Sequence, residues 1–154
     1  MSKIGDRTIF GSFEHVSLPL LGIGSTVAKI DTGAYSGAVH CDLIEPYQGE
    51  DGRPMLRFVP SGNHDRVIET DNFQLVSVRS STGHKVARYL ITTDIIVQSK
   101  TYQITIGLAD RSKMLREVLI GRRFLRENDI LVDTRINQEL DNSGGGKYEN
   151  SDPI

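Results

Sequence analysis

The stretch Val27-Ala28-Lys29-Ile30-Asp31-Thr32-Gly33-Ala34 is an apolar segment that runs directly into an aspartate and a glycine. Its β-branched residues predict a strand, and Gly33 predicts that the chain turns just after Asp31. A carboxylate placed there lies at the mouth of a loop on a rigid strand, and the Thr32 hydroxyl is able to tie that loop down. A bare Asp-Thr-Gly is more often an ordinary turn, so a catalytic role for Asp31, Thr32 and Gly33 needs a second signal.

The second signal lies about 90 residues further on, at Val118-Leu119-Ile120-Gly121-Arg122-Arg123-Phe124-Leu125. It predicts an apolar strand that stops at Gly121, followed by a short helix over 122–127. Together the two segments resemble the retropepsin family of aspartic peptidases, in which an apolar pair followed by Gly-Arg packs beside the catalytic loop. The resemblance implies an all-β, retropepsin-like closed β-barrel with one short C-terminal helix. It also implies that Gly121 and Arg122 support the loop.

The rest of the chain reads as short strands separated by Gly, Pro, Asn and Asp, which is typical of antiparallel hairpins. Strands are predicted at 13–21, 26–30, 39–44, 55–59, 71–79, 85–97, 101–108, 117–120 and 130–133, with turns at 22–24, 80–83 and 98–100. No internal repeat is visible. Residues 1–136 are predicted to form the peptidase domain, and the polar residues 137–154 a flexible tail.

A closer resemblance covers about residues 13–135. The chain is similar to the bacterial family labelled ATP-dependent zinc proteases, which includes RimB-like peptidases and is often encoded beside ATP-grasp glutamate ligases. The matching stretches are Asp31–Ala34, Ala38–His40, Val76–Gly83, Leu108–Met114, Leu119–Arg122 and Leu131–Asp133. The chain departs from the family at Tyr35, Gly37 and Thr134, where Arg, Ser and Pro are common. The resemblance implies a peptide or protein substrate with a glutamate-rich, polyglutamylated tail.

The number of catalytic aspartates predicts a dimer. Aspartic peptidases need two carboxylates that share one proton, and this chain has a single Asp-Thr-Gly. Asp133-Thr134-Arg135 lacks the glycine and favours a strand-ending salt bridge. A homodimer that contributes Asp31 from each chain is therefore expected. The alternative is a non-catalytic retropepsin-like module that dimerises or binds a peptide.

Four further residues are expected at a substrate site. Ala34 belongs to the loop, and the family pattern places His40 nearby, where it either orients substrate or is a structural, hydrogen-bonded histidine. Arg79 and Arg88 lie on the hairpin expected to cover the site and would attract an acidic peptide. A solvated strand face is the alternative for both arginines. In many retropepsins the Arg equivalent to Arg122 binds an acid soon after the loop, which this chain lacks.

A metal or cofactor is not expected. The conceivable zinc ligands are His15, His40, Cys41, His64 and His84, and none forms a His-Glu-x-x-His motif or another ligand spacing. The segment Gly22–Ser25 lacks the Lys and the following helix of a phosphate loop, so a hairpin turn is favoured. Cys41 has no specified base beyond its neighbour His40, which makes it a weak candidate nucleophile.

Composition narrows the remaining classes. The chain has 154 residues and a net charge of −2, without the basic excess of a nucleic-acid or membrane binder. A single cysteine excludes an intrachain disulfide and is typical of a reducing compartment. The first ten residues have no apolar run typical of a secretory signal. We therefore expect a cytoplasmic protein without nucleic-acid or membrane partners.

Overall fold

The computed structural model describes residues 5, 7–61, 65–79 and 82–142. The described residues form eleven strands and one α-helix, which confirms the predicted all-β class. The strands are β1 Thr8–Phe10, β2 Phe13–Leu18, β3 Ile23–Ile30, β4 Ala38–Gln48, β5 Pro54–Pro60, β6 Ile68–Thr70, β7 Gln74–Arg79, β8 Lys85–Val97, β9 Lys100–Ala109, β10 Val118–Ile120 and β11 Ile130–Val132; helix α1 is Arg122–Glu127. No helix in this part of the chain is long and apolar enough to cross a membrane.

Six strands close into a ring, in the order β10, β3, β2, β8, β9, β4 and back to β10. β10 is the closing strand: it runs parallel to β3, with Ile120 opposite Ile30, and antiparallel to β4, with Val118 opposite Val39. All three residues of β10 are buried, which explains their continuous apolar run. The ring brings the ends of the two segments that predicted the fold side by side.

The interior of the ring is filled by alternate residues of its strands. Ile104 and Ile106 of β9 are fully buried, while Gln103, between the buried Tyr102 and Ile104, is exposed. Burying each such aliphatic side chain stabilises the fold by roughly 1.5–3 kcal/mol. Phe124 docks α1 on this core through an edge contact with Tyr102, with ring centroids 5.2 Å apart. The helix is therefore held firmly behind the strand ends that carry the candidate site.

The β7–β8 hairpin extends from the ring and presents two different faces. Val76 lies opposite Arg88, and Arg79 lies opposite Lys85. Because side chains alternate along a strand, Arg88 and Arg79 point to opposite faces of the hairpin. The two arginines that sequence analysis grouped together therefore face different environments.

Several boundaries differ from prediction. β2, which was predicted to run to residue 21, ends at Leu18. Pro19 begins a 3-10 turn there, which ends at Gly22 in the left-handed region (φ 75°). The three-residue strands β1 and β6 were missed because they are too short to show a period. β4 continues to Gln48, four residues beyond the prediction.

The C-terminal tail and two other predictions meet the limits of the described residues. Gln138–Asn142 forms a 3-10 helix, and the Asn137 side chain donates to the Phe13 carbonyl at 2.7 Å. The predicted boundary between residues 136 and 137 stays a prediction, since residues 143–154 lie outside the described part. Ser80 and Ser81 of the predicted hairpin turn, and the weighed ligand His64, also lie outside it.

Candidate active site

Asp31 follows directly on the last residue of β3 and is held by backbone hydrogen bonds. Its N–H donates to the Ile120 carbonyl of β10 at 2.8 Å, so the parallel pairing continues into the loop. Its Oδ1 accepts the Gly33 N–H at 2.9 Å, and the Ala34 N–H donates to its main-chain carbonyl at 3.2 Å. The carboxylate is half-buried, and its Oδ2 has no hydrogen-bond partner among the described residues. One oxygen is thus tied to the loop, while the other is available.

The Asp31 loop packs against the turn between β10 and α1, and the two backbones come into close contact there. A Cβ on Gly121 would lie 2.4 Å from the Tyr35 carbonyl oxygen, and one on Gly37 would lie 2.4 Å from that of Leu119. No side chain fits at either position, and Gly37 also has a φ of 75°. The N–H groups of Arg122 and Arg123 donate to the carbonyls of Ala34 and Tyr35 at 2.8 and 3.0 Å. The structure therefore places Gly121 and Arg122 directly behind the loop.

In place of the acid that many retropepsins have soon after the loop, Arg122 bonds main-chain carbonyl groups of the loop. Its Nη1 donates to the Gly33 carbonyl at 3.0 Å and more weakly to that of Thr32 at 3.5 Å. Its guanidinium carbon lies 5.4 Å from the centroid of the Tyr35 ring, within cation–π range. The departure from the family pattern at Tyr35 thus supplies a stacking partner for this arginine.

His40 is buried in β4 with both ring nitrogens engaged. Its Nδ1 accepts the backbone N–H of Arg111 at 2.9 Å. The neutral ring therefore carries its proton on Nε2, which donates to Asp42 Oδ1 at 2.5 Å. These contacts favour the structural reading of His40 over direct substrate binding.

Arg88 and Arg79 differ as their opposite faces require. The aliphatic part of Arg88 lies over Gly107, where an added Cβ would come within 3.0 Å of the Arg88 Cδ. The Gly107 N–H donates to the Gly37 carbonyl. Arg88 is half-buried, and burial lowers its pKa. Arg79 is exposed and donates to the Gly83 carbonyl at 2.9 Å in its own hairpin. A substrate role for each of them stays a prediction, and of the two only Arg88 is linked through Gly107 to Gly37, just beyond the Asp31 loop.

Arg111 is the residue that sequence analysis missed. It follows the end of β9, and its Nε donates to the Arg116 carbonyl at 3.0 Å. Burial, then the neighbouring Arg88 guanidinium, lower the pKa of Arg111, whereas the Asp31 carboxylate raises it. The matching stretch 108–114 contains this arginine, but nothing local in the sequence indicates that its side chain comes within electrostatic range of Asp31.

A metal site, a cysteine nucleophile and a second catalytic aspartate at position 133 are the alternatives, and the described residues support none of them. Among the described residues, no three His, Cys, Asp or Glu side chains come together as a metal site. Burial, and then the nearby Asp42 charge, raise the pKa of the Cys41 thiol to about 12, so it stays protonated and unreactive at neutral pH. Asp133 forms the predicted strand-ending salt bridge, with its Oδ2 3.2 Å from Arg135 Nη2.

Proteins similar to this chain include a solved structure, curated relatives and a protein family. A solved structure of a protein of unknown function from Legionella pneumophila is 27% identical, with a TM-score of 0.66 over 84% of this chain and 95% of that one. Two curated relatives, from Shewanella pealeana and Parasynechococcus marenigrum, are 29% and 28% identical over 83% and 87% of this chain. Both bear the name probable alpha-L-glutamate ligase, and this chain spans only 29% of their length. The model of the RimB-like family, described as retropepsin-like aspartic endopeptidase RimB, matches residues 9–139, and the chain therefore belongs to that family.

Proposed function

We propose that this chain is a cytoplasmic aspartic peptidase that is active as a homodimer, with Asp31 of each protomer forming the catalytic pair. The observation that carries the proposal is the state of the Asp31 carboxylate. It is fixed by the loop through Oδ1, its Oδ2 accepts no hydrogen bond from the part of the chain that the structure describes, and it lies beside an exposed Thr32 and Gly33. Membership of a family of retropepsin-like endopeptidases supports the same chemistry.

The chemistry requires two such carboxylates close together. Two carboxylates at hydrogen-bonding distance cannot both be ionised, so the pair holds one proton. The ionised member takes a proton from a water molecule, whose oxygen attacks the peptide carbonyl carbon. The protonated member donates a hydrogen bond to the carbonyl oxygen and stabilises the negative charge that develops there. Collapse of the tetrahedral intermediate breaks the C–N bond, and the leaving amine takes a proton from the pair.

The second carboxylate comes from a second copy of the chain in this proposal. Asp133, in the one other Asp-Thr of the sequence, forms an ion pair with Arg135, and its turn lacks the glycine of the Asp31 loop. A cleft of about 580 Å³ beside the loop is lined by Thr32, Arg122, Leu125 and the β11 residues 130–132, and it offers a surface for a partner. A two-fold axis through the Asp31 loops would bring the two carboxylates face to face.

A glutamate-rich peptide is the proposed substrate. The half-buried guanidinium groups of Arg88 and Arg111 lie near the candidate site, and such groups favour carboxylates. Relatives that contain a matching region are named as glutamate ligases, and the RimB-like resemblance links the family to glutamate tails. A peptidase that removes glutamates would oppose a ligase that adds them.

The test is incubation with a polyglutamylated peptide, comparing the unaltered protein with Asp31→Asn and, as the matched control, Asp133→Asn. We expect cleavage by the unaltered protein and the control, and a loss of about a thousandfold or more in Asp31→Asn, on the scale of losing a catalytic group. Peptidase activity measured at increasing protein concentration should rise with the dimer fraction that sedimentation gives at the same concentrations. Cleavage that survives Asp31→Asn would refute the mechanism, and peptide binding without any cleavage would favour the non-catalytic module.

A further inference from the structure

Arg88 is a half-buried arginine that has neither an ion pair nor a hydrogen bond from its side chain within the described ranges. It lies on the face of the β7–β8 hairpin that carries Val76, against Gly107 of the ring. Among the described residues, no carboxylate lies within ion-pair distance of its guanidinium and no acceptor bonds it. Partial burial lowers the pKa of this cation, and a carboxylate bound to it would stabilise its charged form.

Arg111 places a second guanidinium within electrostatic range of the first, since Arg88 precedes Tyr89, which pairs with Leu108 of β9, and Arg111 lies just beyond the end of β9. Its main-chain N–H donates to His40 Nδ1 and its Nε to the Arg116 carbonyl, so both its backbone and one side of its guanidinium are held. Its two terminal nitrogens have no partner within the described ranges. The Arg88 and Asp31 charges both act on it, one repelling and one attracting. Two cations within electrostatic range of each other favour an anion between them.

His40 determines where Arg111 lies. β4 and β9 are parallel neighbours, with His40 opposite Ala109, so the histidine sits beside the point where β9 ends. Asp42 holds the Nε2–H of His40, which leaves Nδ1 as the acceptor that the Arg111 N–H needs. The turn from Asp110 is further closed by hydrogen bonds from Ser112 to the Asp110 carboxylate.

We propose that Arg88 and Arg111 together bind one carboxylate of the substrate next to the scissile bond, and that His40 is the positioning residue that aims Arg111. The proposal rests on the peptidase function above and adds the residues that select the substrate. A carboxylate between two guanidinium groups makes charge-assisted hydrogen bonds to both and removes their mutual repulsion. That carboxylate is either a glutamate side chain or the C-terminus of the peptide.

Binding measured in the Asp31→Asn background tests the site without cleavage. Fluorescence anisotropy compares a labelled hexaglutamate with a hexaglutamine, each with a free and with an amidated C-terminus. We expect Arg111→Gln and Arg88→Gln each to weaken hexaglutamate binding about tenfold or more, and to abolish the preference over hexaglutamine. The matched control Lys113→Gln removes an exposed charge from the same turn and should change affinity less than about twofold. Loss of binding on amidation alone would assign the C-terminal carboxylate, and loss on Glu-to-Gln exchange the side chain.

His40 variants separate positioning from simple support of the fold. His40→Leu removes the acceptor for the Arg111 N–H and should lower the hexaglutamate preference as far as Arg111→Gln does. His40→Asn retains an acceptor near the Nδ1 position and should restore part of that preference, even if both variants melt at lower temperature. In the active protein, Arg111→Gln should raise KM for the acidic peptide and leave kcat within about threefold.

The outcomes distinguish this site from the proposed function. Selective hexaglutamate binding that depends on both arginines, in a protein that cleaves nothing, would retain the carboxylate site and refute the peptidase. Cleavage that depends on Asp31 but is insensitive to Arg88→Gln and Arg111→Gln would refute the site alone. Equal affinity for all four peptides, including the amidated hexaglutamine that has no carboxylate, or no binding of any of them at millimolar peptide, would also overturn the site.

Discussion

The Asp31 corner and the Asp133 corner are built alike and differ in one decisive position. Each aspartate follows a strand that is paired in parallel with another: β3 with β10 for Asp31, and β11 with β1 for Asp133. The Asp31 N–H donates to the Ile120 carbonyl at 2.8 Å, and the Asp133 N–H donates to the Phe10 carbonyl at 2.9 Å. In both cases the accepting residue stands immediately before a glycine.

The correspondence continues through each turn. The residue two positions on donates its N–H to the aspartate Oδ1, at 2.9 Å from Gly33 and 3.0 Å from Arg135. The residue three positions on donates to the aspartate main-chain carbonyl, at 3.2 and 3.1 Å, and accepts an N–H from the residue after the opposing glycine, at 2.8 and 3.0 Å. No internal repeat is visible in the sequence, and the correspondence of the two corners lies in their backbone hydrogen bonds. In the sequence it leaves only two short traces, Asp-Thr at 31 and 133 and an apolar residue before Gly11 and Gly121.

The residue two positions after the aspartate separates a structural corner from a candidate catalytic one. Arg135 turns back on Asp133, and this hydrogen-bonded contact lowers the pKa of the Asp133 carboxyl. Gly33 has no side chain, so Asp31 keeps one oxygen free and its loop stays open to a partner. The same backbone geometry thus gives a neutralised ion pair in one place and an available carboxylate in the other.

The largest effect is expected when the difference between the corners is removed. Gly33→Arg should reproduce the Asp133 ion pair at Asp31 and lower kcat/KM for a polyglutamylated peptide at least about a hundredfold, on the scale of losing one electrostatic contributor. A Cβ added at this position would lie 3.1 Å from Asp31 Oδ1. Arg135→Gly is the reciprocal control and should leave kcat/KM within about twofold. If Gly33→Arg retains more than half of the activity and the native circular dichroism spectrum, the glycine is not the deciding residue.

An intermediate effect is expected from the glycines behind the corners. A Cβ on Gly121 would meet the Tyr35 carbonyl oxygen at 2.4 Å, and one on Gly11 would meet that of Ile136 at 2.3 Å. We expect each Ala variant to lower the free energy of unfolding by about 1–3 kcal/mol, measured by urea denaturation. Only Gly121→Ala should also lower peptidase activity, because only that corner carries Asp31. Equal loss of activity in both variants would show that the corners are coupled.

The smallest effect is expected from the ion pair itself. The folded pKa of Asp133 lies below its ordinary value of 3.8, so its contribution to stability is present at neutral pH and is lost as the pH falls through the folded pKa. Asp133→Asn should therefore melt slightly lower than the unaltered protein at pH 7, and the two should converge in acid. Because the pair is exposed, added salt should also shrink the difference. A gap in melting temperature that widens as the pH falls below 3.8 would contradict this assignment.

The sequence alone determined the elements whose signals are local. The bounds of β8 and α1 were predicted as the structure has them, because a long β-branched run and an apolar strand stopped by Gly121 are each legible from neighbouring residues. The Asp31 turn and the Asp133 ion pair were predicted for the same reason, since a residue two positions away decides each of them.

Only the tertiary structure decided which distant residues meet. The closing role of β10, the opposite faces of Arg79 and Arg88, the approach of Arg111 to Asp31 and the engaged ring of His40 all depend on strand pairing across long separations. Register assigns every side chain of a strand to one face or the other. No local pattern contains that register, so Asp31, Arg88 and Arg122 were candidates in the sequence, whereas Arg111 and the different faces of Arg79 and Arg88 emerged only from the fold.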